Sequence, residues 1–132
     1  MLKILIADDH SVVRRGLKEI LQEAFNTGVL VGEAGDGPEA LEKARQGAWD
    51  VILLDISMPG RNGLEVLKVL RGEQPNLPIL MFSMHSTSHY VLKSLESGAA
   101  GYLSKEDAPE ELVLAIQTVL GGGRYVSRNL RF

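Results

Sequence analysis

The stretch Asp50-Val51-Ile52-Leu53-Leu54-Asp55 decides how the rest of the chain reads. Its four consecutive apolar residues show neither a helical nor an alternating period. A short run of that kind suits a strand covered on both faces, as the central strands of parallel sheets are. Parallel neighbours need long crossovers, so helices should separate the remaining strands. Upstream, Lys3 to Ala7 reads as a first strand and Val29 to Glu33 as a second. Between them Val13, Leu17, Ile20, Leu21 and Ala24 recur at helical spacing, with Ser11 as the expected N-cap. Asp36, Gly37 and Pro38 open a second helix that turns Leu41 and Ala44 inward.

Downstream, Leu64, Leu67 and Leu70 mark a third helix, ended by Gly72 and Pro75. Pro78 to Phe82 is a fourth strand. Val91, Leu92 and Leu95 mark a fourth helix that stops at Gly98, and Gly101 to Leu103 is a short fifth strand. Pro109 starts a last helix with Glu110 and Glu111 in its positive first turn. Leu112, Val113, Ile116, Val119 and Leu120 line it, and Gly121 ends it. Five strand–helix units predict one doubly wound α/β domain: a five-stranded parallel sheet with five helices on its two faces.

The 132 residues, 45% hydrophobic and 23% charged, fit a single globular domain. With no cysteine, disulfide scaffolds, zinc–thiolate sites and thiol nucleophiles are excluded. Asp8 and Asp9 interrupt the first apolar run, so neither a membrane span nor a signal peptide is expected. The net charge of −3 is uneven, because Gly121 to Phe132 holds Arg124, Arg128 and Arg131 and no acid. The acidic remainder does not suit a polyanion, and three arginines are too few for a nucleic-acid arm. Residues 122–132, with no apolar period, read as a solvated tail, the start of a linker.

Ligands of open α/β sheets bind beyond the carboxyl ends of the strands. The residues found there are Asp8 and Asp9, then Asp55, then Ser83, then Ser104 and Lys105. Each has an ordinary reading: the aspartate pair as caps, Asp55 as a turn former, Ser83 as a helix cap and Lys105 as a solvated lysine. Their convergence at one edge favours chemistry instead. Three carboxylates need a compensating cation, and oxygen donors of this number suit Mg²⁺ held partly by water. A phosphate-binding first turn is disfavoured, since Ala7-Asp8-Asp9-His10-Ser11 offers carboxylates where glycines would be needed.

The motifs Asp8-Asp9, LLDISMPGRNGLE around Asp55, FSMH at residues 82–85 and GYLSK at residues 101–105 resemble the receiver domain of bacterial two-component response regulators. The likeness runs to about Gly121. GAAGYLSKE and the ending LGGGRYVSRNL further resemble the NarL/LuxR-type subfamily, whose receiver precedes a helix-turn-helix domain. The resemblance implies a flavodoxin-like, CheY-like fold with strand order 2-1-3-4-5. Residues 1–121 would be the receiver and 122–132 the start of a linker toward a DNA-binding domain outside this chain.

The resemblance also implies roles. Asp55 would accept a phosphoryl group from a sensor histidine kinase. Asp8, Asp9, Asp55 and the backbone carbonyl of Ser57 would hold Mg²⁺. Lys105 and Ser83 would bind phosphoryl oxygens, and Tyr102 would be the switch aromatic, exposed at rest and buried when active. Ser57 and His85 occupy positions that tune dephosphorylation. Glu106 follows Lys105 where many receivers carry a cis proline, which leaves that peptide's isomer open. The expected protein is a cytoplasmic switch, not a turnover enzyme, that dimerises on activation and meets DNA only through the further domain. An aspartyl phosphatase of the D-x-D type is disfavoured, because Ser57 stands where its second acid belongs.

Overall fold

The computed structural model describes residues 1–26, 28–84 and 88–131. The elements are β1 (Leu2–Ala7), α1 (Ser11–Ala24), β2 (Val29–Ala34), α2 (Gly37–Gln46), β3 (Val51–Asp55) and α3 (Gly63–Glu73). They continue with β4 (Ile79–Ser83), α4 (Ser88–Glu96), β5 (Gly101–Ser104), α5 (Ala108–Leu120), β6 (Tyr125–Val126) and a 3₁₀ turn at Arg128–Leu130. The sheet is parallel throughout, in the order β2-β1-β3-β4-β5-β6. The five expected strands stand in the expected order, and β6 is an addition.

The period-two alternation of each strand divides the core. Ile4, Ile6, Val51, Leu53, Leu80, Phe82 and Leu103 face α1 and α5. Leu5, Ala7, Ile52, Leu54, Ile79, Met81 and Tyr102 face α2, α3 and α4. All five residues of β3 and of β4 are buried, as strands covered on both sides require. Local signals set the helix starts. Asp36 accepts from Glu39 N at 2.8 Å and Asn62 from Glu65 N at 3.0 Å, each filling an orphan donor of a first turn. At α1 the expected cap is corrected: Ser11 is the first helical residue and His10 the cap, without a side-chain bond to the helix.

The end of the chain also departs from expectation. Residues 125–130 do not form a solvated tail. Tyr125, Ser127 and Leu130 are buried, and β6 lies beside β5. Two adjacent strand residues produce no readable period, and the burying partners are distant in sequence.

Candidate functional site

The carboxyl ends of β1, β3, β4 and β5 converge at one edge of the sheet. Asp8 and Asp55 are almost fully buried there, each following a wholly apolar run. Gly63 lets the loop after β3 close on itself. Its N–H donates to Ile56 O at 2.7 Å, and a Cβ at this position would overlap the Asp55 carbonyl. Ser57 is exposed, and its backbone N–H donates to Asp55 Oδ1 at 3.2 Å.

Lys105, the residue after β5, reaches over the acids. Its Nζ lies 3.1 Å from Asp55 Oδ2 and 2.7 Å from Asp8 Oδ2, and it passes over the Phe82 ring. The contact with Asp8 Oδ2 is thus the shorter of the two ion pairs. Burial and the neighbouring Asp8 charge raise the Asp55 carboxyl above its ordinary range, against the opposing pull of Lys105. Burial would lower Lys105, but its contacts with Asp8 and Asp55 outweigh this and raise it. The Lys105–Glu106 peptide is trans.

Asp9 is more exposed than Asp8 and leans toward the same space. One ligand atom each from Asp8, Asp9, His10 and Asp55 fall within 4.8 Å of one another. The sequence reading missed His10. Its Nδ1 stands 3.1 Å from both Asp8 Oδ1 and Asp9 Oδ1, and its backbone N–H donates to Asp8 Oδ1 at 2.7 Å. An imidazole directly after two acids was the available signal. Arg14 also escaped notice: it donates to the Asp8 carbonyl at 2.6 Å and pairs with Glu33 at 3.0 Å, fixing the end of β1.

Ser83 ends β4 and Ser104 pairs with it in register. The Ser83 hydroxyl hydrogen-bonds the Tyr102 phenol, whose ionisation burial pushes up to about 12. Tyr102 is fully buried, the arrangement that the resemblance implies for the active switch. The ring fills the α4 side of the sheet among Met81, Val91 and Ala99, where apolar contact and the Ser83 hydroxyl both reward it. His85 lies outside the described residues.

Three carboxylates against one lysine leave this corner short of positive charge. Oxygen donors from Asp8, Asp9 and Asp55 suit a hard divalent cation, and Asp8 Oδ2 has coordination capacity left. No helix among the described residues is long and apolar enough to cross a membrane.

Comparison with known proteins agrees with this geometry. Residues 4–117 match the family described as response regulator receiver domain. The chain is 40% identical over 130 residues to response regulator UvrY of Escherichia coli, covering 98% of this chain and 59% of that protein. It thus spans about three fifths of the length of the curated relatives it matches. A LuxR-family two-component response regulator from an Aurantimonas species superposes with a TM-score of 0.90 at 36% identity, covering 97% of this chain and 91% of that one. The isolated receiver domain of RcsB from Salmonella enterica serovar Typhimurium, solved with the phosphomimetic BeF3⁻, gives 0.88 at 25%, covering 98% and 95%. The chain belongs to the response regulator receiver domain family, in its LuxR-type branch.

Proposed function

We propose that Asp55 is the phosphoacceptor of a two-component signalling switch, with Asp8, Asp9, Asp55 and the Ser57 carbonyl holding Mg²⁺. The observation that carries this reading is the position of Asp55: it ends the central strand, buried between Asp8 and Lys105. A carboxylate oxygen of Asp55 forms a bond to phosphorus as the P–N bond of a kinase phosphohistidine breaks, and the departing electron pair stays on the imidazole. The product is an aspartyl phosphate. When bound, Mg²⁺ neutralises charge on the phosphoryl group.

Lys105 supplies the second cation and moves its contact from the carboxylate to a phosphoryl oxygen. Ser83 donates its hydroxyl to another. Tyr102, bonded to Ser83, carries the change to the β4–α4–β5 face. The phosphoryl group remains on the protein's own side chain, so the output is an altered surface rather than a released product. The partners that fit are a cytoplasmic sensor histidine kinase and a second copy of the receiver on activation. DNA would be met through a helix-turn-helix domain joined after residues 122–132.

The test is intact-mass analysis after incubation with acetyl phosphate and Mg²⁺. One phosphoryl adduct is expected, absent in Asp55→Asn and absent in EDTA. Full modification of Asp55→Asn, or equal modification without metal, overturns the reading.

A further inference from the structure

The segment after α5 returns to the strand that carries Tyr102. Gly122, at φ +90°, turns the chain back toward the sheet. Tyr125 N–H then donates to Ala100 O at 3.2 Å and Ser127 N–H to Tyr102 O at 2.9 Å. Ser127 Oγ, fully buried, accepts from Ser104 N–H at 2.9 Å. Gly101 is the residue that admits this docking, since a Cβ there would overlap the Tyr125 carbonyl. The segment straddles the sheet. Tyr125 packs on the α5 side and bonds Glu111 Oε1 at 2.6 Å, while Leu130 joins the cluster that holds the Tyr102 ring.

Every one of these hydrogen bonds except the one to Glu111 is to the stretch 100–104. That stretch leads into Lys105, whose own N–H is tied to Ser83 O at 3.0 Å. The two groups that would grip a phosphoryl group therefore border the docking site.

We infer that residues 125–130 are a latch whose docking is coupled to the state of Asp55, so that phosphorylation tightens it and its release weakens the phosphorylated state. The inference rests on the phosphoacceptor reading. A phosphoryl group gives Lys105 and Ser83 one shared acceptor. It thereby holds Ser104–Lys105 and the Tyr102 ring in the arrangement that receives Ser127 and Leu130. The latch in turn holds that arrangement when the site is empty. Linkage makes the factor the same in both directions. The partner of the latch is thus this chain's own switch strand.

The experiment uses the 132-residue chain with Mg²⁺, with and without BeF3⁻. Hydrogen exchange follows the amides of Tyr125 and Ser127, and fluorine NMR reports whether BeF3⁻ is bound. On binding, the two amides should exchange on the order of tenfold more slowly. Leu130→Ala and Ser127→Ala should weaken BeF3⁻ binding by a similar factor. Bound BeF3⁻ with unchanged or faster exchange at both amides overturns the latch and leaves the phosphoacceptor reading intact. Failure of the parent to bind BeF3⁻ overturns both. If either variant fails to fold, exchange in the parent still decides.

Discussion

Replacing Lys105 by alanine removes the cation that sits between two buried carboxylates, 2.7 Å from Asp8 and 3.1 Å from Asp55. Breaking a buried pair from one side costs roughly 3–5 kcal/mol, because the remaining charge stays desolvated. The structure sets a ceiling on the Asp55 share. An uncompensated Asp55 can take up a proton instead, and its ordinary value is 3.8. At pH 7 that escape costs about 4.4 kcal/mol, from about 3.2 pK units at 1.36 kcal/mol each; at pH 5 it costs about 1.6 kcal/mol. Lys105→Ala should therefore lose about 3–4 kcal/mol at pH 7 and at most about half of that at pH 5. Urea unfolding followed by the fluorescence of Trp49, the single tryptophan, measures both with one probe. The slope with urea should match the parent, since the surface exposed on unfolding is the same. Adding Asp55→Asn to Lys105→Ala should recover much of the deficit. A loss below about 1 kcal/mol at pH 7, or an equal loss at both pH values, would show that Lys105 does not balance these acids.

Three further outcomes follow from the same contacts. Asp55→Asn alone should denature at higher urea than the parent at pH 7. A raised carboxyl value means the ionised form costs stability, a cost present above the folded value that vanishes as pH falls toward 3.8; the gap between the two proteins should close over that range. Gly63→Ala should lose about 1–3 kcal/mol or more by urea titration, because the Asp55 carbonyl it meets is backbone and cannot yield, and its phosphorylation by acetyl phosphate should fall as well. Asp36→Ala should lose about 1 kcal/mol through the uncapped Glu39 N–H and leave phosphorylation by acetyl phosphate at the parent level.

The fold was largely legible because its strands are short, apolar and separated by helices with clear stripes. Asp50 to Leu54 reads as a central strand from its own residues, and it shifts by only one position to Val51–Asp55. Strand order needed the family resemblance, since periodicity says which residues are buried but not which strands are neighbours. The convergence of Asp8, Asp55 and Lys105 was legible from their places at strand ends. His10 offered only its place after two acids, and Arg14, six residues from Asp8, had no period to announce its contact. The burial of Tyr102 was not legible from β5 alone. Alternation places it on one face of β5, but whether that face is filled depends on helix α4 and on Leu130, distant parts of the chain. The burial of Tyr125 and Leu130 was hidden for the same reason.

β6 is two residues long, yet it changes what the molecule presents to other chains. A strand left last in a sheet offers unpaired N–H and C=O groups as a template for foreign strands. Here the Tyr102 carbonyl and the Ser104 N–H, which would otherwise form that template, are already taken by Ser127. A protein cut at Gly121, where the helical pattern stops, would bare them together with the apolar ground beneath Tyr125 and Leu130. Fusions and fragments made from this receiver should therefore retain residues up to Leu130, or they will trade a signalling module for one inclined to self-associate through its sheet.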